Sequence, residues 1–196
     1  MAYLFKKLVE PYGMSFGADR DPTRQEWMPW RTSDRDSPIE DWMRAYYPKA
    51  LFVDEKYSLL NHWGMGLGGM YCVSAQVKSL IEQLEPDVHQ FLAVDLHRAS
   101  RKYQYYILKF GQTMDCVDAE RSPVSWETTK VKGRAVKYWM PEPGKPLLVQ
   151  QRSIAGAHLW QTENVPDLKF MSNQIHDLLK ANDALTGLEC SRQQEI

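Results

Sequence analysis

Cysteine is scarce in this 196-residue chain: Cys72, Cys116 and Cys190 are odd in number and far apart. That usage excludes a disulfide scaffold and suits a reducing compartment, and without a CxxC pair a structural zinc site has no support. The five histidines show neither H-x-x-x-H nor H-E-x-x-H spacing, so no metal site is expected. An excess of either charge is missing too, with 24 Lys and Arg against 25 Asp and Glu, which disfavours a general nucleic-acid binder. The longest stretch free of charged residues, Tyr57 to Val77, holds four glycines, Asn61 and His62, and reads as soluble chain rather than a membrane span. The N-terminal sequence reaches Lys6, Lys7, Glu10 and Pro11 too soon for a signal-peptide core, so a cytoplasmic location is expected.

What is present is apolar and aromatic: 43% hydrophobic residues, with 7 Trp, 10 Tyr and 6 Phe, enough to build a real core. The length predicts one domain with a modest extension. Residues 1–36 mix turn formers with large aromatics and show no sustained period, so they are read as an irregular, Trp-rich N-terminal segment packed on a single domain of residues 37–196. Ser37-Pro38-Ile39-Glu40 has the form of a capping box. Ile39, Trp42, Met43 and Tyr46 follow at helical spacing, which predicts a core-facing stripe.

Two further helices are expected, one capped by Ser74 and ended by Pro86, the other capped by Ser172 and ended by Gly187. They look alike, with Ser, Gln and Leu at matching offsets. A duplication would produce this, and so would any two capped amphipathic helices. Between them lie five strand-like runs, Gln90 to His97, Tyr103 to Phe110, Arg134 to Met140, Leu147 to Ile154 and Ala157 to Thr162. The links between them are too short for crossover helices, so the fold class is α+β, with a largely antiparallel sheet and a few amphipathic helices.

Gly64-Met65-Gly66-Leu67-Gly68-Gly69 matches the dinucleotide fingerprint G-x-G-x-x-G. The next helix cap, Ser74, comes five residues too late, and extended chain is expected in between, so no cofactor is assigned. Asp95 and His97, two apart on a strand, would share a face; they are either an acid–base pair or part of a solvated surface. Ser74 lacks a G-x-S-x-G elbow and is read as a cap, leaving no catalytic residue to name. Lys130, Lys132 and Arg134 alternate on what reads as one strand, giving a positive stripe that suits an acidic partner or a protected edge. Trp27, Trp30 and Arg31 are the residue types that anchor protein interfaces, although tryptophans also pin a segment to its own core.

From Val73-Ser74 through Leu80-Ile81, Leu84-Glu85-Pro86, Val88-His89-Gln90-Phe91 and Val94-Asp95-Leu96 to Tyr105-Tyr106 and Cys116-Val117-Asp118, the order of motifs resembles the eleventh family of polymorphic-toxin immunity proteins. Phe170-Met171-Ser172, Leu178-Leu179 and Leu185-Thr186-Gly187-Leu188 resemble that family's closing motif. The pattern departs at Asp87, where a glycine is expected, at Ala93, where a proline is expected, and near Cys190, where an aromatic is expected. The resemblance implies a non-enzymatic bacterial protein that neutralises a cognate toxin domain in interbacterial competition by stoichiometric complex formation. Trp27, Trp30 and Arg31 are the candidate toxin contacts. The other readings are a small nucleotide- or metabolite-binding enzyme using the Gly64–Gly69 loop, and an interaction module without a toxin partner.

Overall fold

The structure is a computed structural model that describes residues 1–8, 17–18, 38–44, 47–53, 60–65, 71–131, 134–165 and 168–196. Along the chain run β1 (Ala2–Leu8), β2 (Gly17–Ala18), α1 (Asp41–Arg44), β3 (Ala50–Phe52), β4 (Trp63–Met65), β5 (Tyr71–Ser74), α2 (Ala75–Leu84), β6 (Gln90–Arg98), β7 (Arg101–Lys109) and β8 (Thr113–Met114). Then come β9 (Val124–Val131), β10 (Arg134–Pro141), β11 (Leu148–Val149), β12 (Leu159–Thr162), β13 (Lys169–Ser172), α3 (Asn173–Ala181), β14 (Leu188–Arg192) and β15 (Gln194–Glu195). One sheet has the order β2-β3-β6-β7-β5-β4 and the other β14-β1-β13-β12-β8; among the described residues β9 and β10 form a two-stranded sheet, as do β11 and β15. Most pairs are antiparallel, with β3 on β6, β8 on β12 and β11 on β15 parallel. The fold is α+β.

Within the two sheets lie two equivalent units. In each, a hairpin leads into a helix and then a third strand: β4-β5-α2-β6 in the first, β12-β13-α3-β14 in the second. A fourth strand lies between the hairpin and the third strand, β7 in the first unit and β1 in the second, antiparallel to both neighbours each time. The second unit therefore takes its fourth strand from the far N-terminus. Ala2–Leu8 is thus a strand inside a sheet, in contrast to the irregular segment expected for residues 1–36. The reason is that both its faces are covered: Ala2 and Leu4 enter one apolar cluster, Tyr3 and Phe5 another, so no polar alternation marks it.

The likeness continues side chain by side chain. Ser74 accepts a hydrogen bond from the Val77 N–H and Ser172 from the Ile175 N–H, each at 3.3 Å, as N-caps do. Three and seven positions after each cap come the buried pairs Val77 and Ile81, and Ile175 and Leu179, which meet in a core shared by the two units together with Trp63, Leu108, Leu159 and Met171. Four positions after each cap, Lys78 lies 5.3 Å from the ring centroid of Tyr106 on β7, and His176 stacks at 3.8 Å on Tyr3 of β1. Helical spacing places these residues on one face of each helix. Each sheet turns its other face to a core of its own, one around Leu51, Cys72, Leu96 and Ile107, the other around Trp139, Leu147, Trp160 and Phe170.

The expected helix after Ser37 is a single turn, Asp41–Arg44, with none of its residues buried. Ser37 and Tyr46 lie outside the described residues, and Trp42 is 51% exposed, so the expected core stripe loses its tryptophan. Ile39, which precedes the helix, and Met43 within it do pack in the core around Leu51, and Gln90 Oε1 accepts the Ile39 N–H at 2.6 Å.

Candidate functional site

Gly64 is in β4, paired antiparallel with Cys72 of β5, and residues 66–70 lie outside the described residues. A dinucleotide fingerprint needs a strand passing directly through its glycines into a helix N-terminus. Here a second strand intervenes before α2, so the match lacks its structural context. Asp95 and His97 do share a face of β6, but Asp95 Oδ2 is 2.7 Å from Lys102 Nζ, and the His97 ring stacks on Phe52 with centroids 5.2 Å apart. The two side chains are turned to separate partners, so the acid–base pair is not assembled. Burial pushes the Cys116 thiol up to about 11 and the Cys190 thiol up to about 12, which leaves both protonated and poorly nucleophilic near neutrality. Among the described residues, no three His, Cys, Asp or Glu side chains cluster to hold a metal. No helix among them is long and apolar enough to cross a membrane.

Two serines do meet histidines. His62 Nδ1 is 2.7 Å from Ser74 Oγ, and His158 Nδ1 is 2.9 Å from Ser172 Oγ. Each hydroxyl already accepts a helix N–H and keeps its proton and a second lone pair for the imidazole. The same pairs are closed by backbone bonds, Ser74 N–H to His62 C=O at 2.9 Å and Ser172 N–H to His158 C=O at 2.8 Å. A nucleophile needs a base on one serine beside a substrate cleft. A geometry repeated at both caps is instead the device that fastens a hairpin to its helix.

The backbone N–H groups of those histidines are received by the opposite unit. His62 N–H donates to Thr186 Oγ1, just past α3, at 3.1 Å, and His158 N–H donates to Glu85 Oε1, just past α2, at 2.6 Å. Glu85 is only 4% exposed, and its Oε1 also accepts from Gln112 Nε2 at 2.6 Å. Its Oε2 lies 2.8 Å from His89 Nε2, and Gly111 N–H donates to His89 Nδ1 at 3.1 Å. Because Nδ1 accepts, a neutral His89 carries its proton on Nε2 and points it at the carboxylate. Burial raises the Glu85 pKa, but the bonds from His89, the His158 backbone and Gln112 outweigh it and hold the carboxyl below its ordinary value. Glu85 and His89, the two buried residues of the Glu85–Phe91 string, thus form a polar clasp. Asp87 within the string has φ of 60°, the left-handed region that glycine enters most easily and aspartate tolerates, which accounts for the expectation of glycine there.

The exposed chemistry lies elsewhere, on the β9–β10 ribbon. Its strands pair in full register from Val124↔Pro141 to Val131↔Arg134. The chain reverses between Val131 and Arg134, so Lys130 and Arg134 stand on different strands and the expected single-strand stripe does not form. The ribbon is rooted by Trp139, buried in the core that also holds Trp160, and by the Glu142 N–H bond to Pro123 C=O at 3.0 Å. Along the ribbon Trp126, Val136 and Met140 are 47%, 42% and 43% exposed, and Lys137 Nζ lies 4.3 Å from the centroid of the Trp126 ring. Tyr138 donates to Glu127 Oε2 at 2.5 Å. Val136, Tyr138 and Met140, two apart on β10, make an apolar ridge on one face. The flanking β-rich runs around Lys132-Gly133 are the sequence signal that would have shown a hairpin here. Trp27, Trp30 and Arg31 lie outside the described residues.

The model of an immunity protein family (Imm11) matches residues 19–195. The chain belongs to this family. No curated protein matches it. An immunity family implies a toxin as partner, and such families are generally non-enzymatic. Among the residues that carry the resemblance, Glu85, His89 and Thr186 belong to the hydrogen bonds that join the two units of the fold.

Proposed function

We propose that this chain neutralises one cognate toxin domain by stoichiometric binding in the bacterial cytoplasm, as part of a polymorphic toxin system. The match of the immunity-family model across residues 19–195 carries this reading. In support, the serines, histidines and buried carboxylate that resemble catalytic parts are each engaged in holding the fold together. Protection at low intracellular concentration requires nanomolar affinity, about −12 kcal/mol. Such energy concentrates in a few aromatic and arginine anchors, and Trp27, Trp30 and Arg31 remain candidates for that role.

Co-expression with the toxin domain encoded beside this gene tests the reading. Cells are expected to survive only when both proteins are made, and the two should elute together in size exclusion. Equal killing with and without this chain, together with no co-elution, rejects it for that pair. The enzyme reading stands or falls on calorimetric titration with NAD, NADP, FAD and ATP, where binding at micromolar level would restore the Gly64–Gly69 loop as a site.

A further inference from the structure

We propose that the β9–β10 ribbon is the element that docks on the toxin domain, and that the surface it fits is acidic; this rests on the immunity reading. Each strand has eight residues, so the ribbon spans roughly 27 Å at about 3.4 Å per residue. Among the described residues these two strands have no third partner, an arrangement that is marginal in water, and the pair is tied to the body at the end where Trp139 is buried. Trp126 and Met140 near the root and Val136 further out nevertheless present large apolar side chains to solvent. Exposed aromatic and aliphatic groups on a projecting element are what an interface uses as anchors.

Charge decides the partner. The segment 124–141 carries Lys130, Lys132, Arg134 and Lys137 against Glu127, a net of +3 in a chain whose net is −1. A second copy docking ribbon against ribbon would bring two segments of net +3 together, so self-association is disfavoured. Nucleic acid would also answer to positive charge, but a strand binder stacks bases on open aromatic faces. One face of Trp126 is already taken by Lys137, and Glu127 stands beside Tyr138 in the same ribbon. Lys137 shares a face of the ribbon with Trp126 while the apolar ridge stands on the other, so the partner that satisfies both is an acidic protein cleft that takes the ribbon between its walls.

The test is calorimetric titration of an active-site-inactivated toxin domain, from the neighbouring gene, with the full chain. Lys137→Glu and Val136→Asp are each expected to weaken binding at least thirtyfold without moving the melting temperature, while Lys180→Glu on α3 stays within threefold of the parent. Lys137→Gln, which removes the charge and keeps most of the side-chain length, guards against misfolding of the reversed variant and is expected to fall between the two. Raising salt from about 50 to 500 mM should weaken the parent more than Lys137→Glu, since only the parent has that attraction to screen. If the parent binds and the ribbon variants bind equally well, the ribbon inference is overturned and the immunity reading stands. If the parent neither binds nor protects, the immunity reading for that pair fails and takes the ribbon inference with it. A single-stranded RNA of twenty nucleotides that binds the parent and is lost with Lys137→Glu would also overturn the choice of a protein partner.

Discussion

Past α3 a threonine receives the His62 N–H, whereas past α2 a carboxylate receives the His158 N–H. Everything else around those bonds is matched: the serine cap, the imidazole on it, the backbone bond across the hairpin, and the residues three, four and seven positions into the helix. The difference shows what each unit must hold. Thr186 joins one hairpin to one helix end, then hands over to Gly187, whose φ of 92° brings its backbone so close to Trp63 C=O that a Cβ would sit 2.3 Å from that oxygen. Glu85 gathers the His158 backbone, Gln112 and His89, three separate pieces of chain, and does so inside the protein. A neutral hydroxyl offers too few acceptor sites for three donors; an ionised carboxylate has enough.

The largest effect follows from that contrast. Glu85→Ala strands three donors in a buried site and should cost about 3–5 kcal/mol, a fall in melting temperature of roughly 6–20 °C for a domain of this size. Thr186→Ala removes one partly exposed bond and should cost about 1 kcal/mol. Equal losses would mean that the two joints carry the same load. Acid sharpens the test. The Glu85 carboxyl titrates below its usual value, so its contribution is complete above an unfolded pKa of about 4.5 and is lost as pH falls through the lower folded value. Urea midpoints followed down to about pH 3 should show that loss in the parent and not in Glu85→Gln.

The caps should behave alike where the joints differ. Ser74→Ala and Ser172→Ala each remove a cap and an imidazole contact, and each is expected to lower stability by about 1–2 kcal/mol, read from denaturant midpoints. A difference between them larger than about 1 kcal/mol would end the equivalence of the units. Weaker still is the titration of His62. Burial lowers its pKa, with Asp183 pulling the other way, so the unfolded chain takes up a proton first as pH falls below about 6.5. Stability is expected to be flat above that value and to slope down through the folded pKa beneath it. His62→Asn, which keeps an acceptor near Ser74 Oγ, should flatten that slope; an unchanged slope would place the sensitivity elsewhere.

The caps were legible because their signals are local: a serine, a period of 3.6 and a terminator within a dozen residues. So were β6 and β7, whose β-branched and aromatic runs carry their own strand signal. The partner of the second unit was not legible, because β1 reaches β13 across more than 160 residues and is buried on both faces. Glu85 and His89 were visible only as letters in a family string; what makes them a clasp is Gly111, Gln112 and His158 arriving from elsewhere in the fold. The ribbon is half legible: Lys130 to Arg134 reads as one positive strand, whereas Val131 and Arg134 pair across two strands, a register that the alternation of charges does not carry.

The smallest effect belongs to the helix whose sequence looked strongest. Compared with the Ser74 helix, the chain after Pro38 has the better capping box and the worse core: α1 is one turn long and buries none of its residues, while α2 buries Val77 and Ile81. A cap stabilises the first turn of a helix, but it cannot supply the apolar face that keeps later turns in place. Trp42 should therefore report the difference. Its ring is half exposed and its Nε1–H donates to Glu40 Oε2, two residues away, at 2.5 Å. Trp42→Ala is expected to change stability by less than about 1 kcal/mol, a shift of roughly 4 °C at most, whereas Ile81→Ala on α2 should cost about 2–5 kcal/mol. A loss at Trp42 approaching that of Ile81 would show that the tryptophan packs on the body after all and would return the helix to the core its spacing predicted.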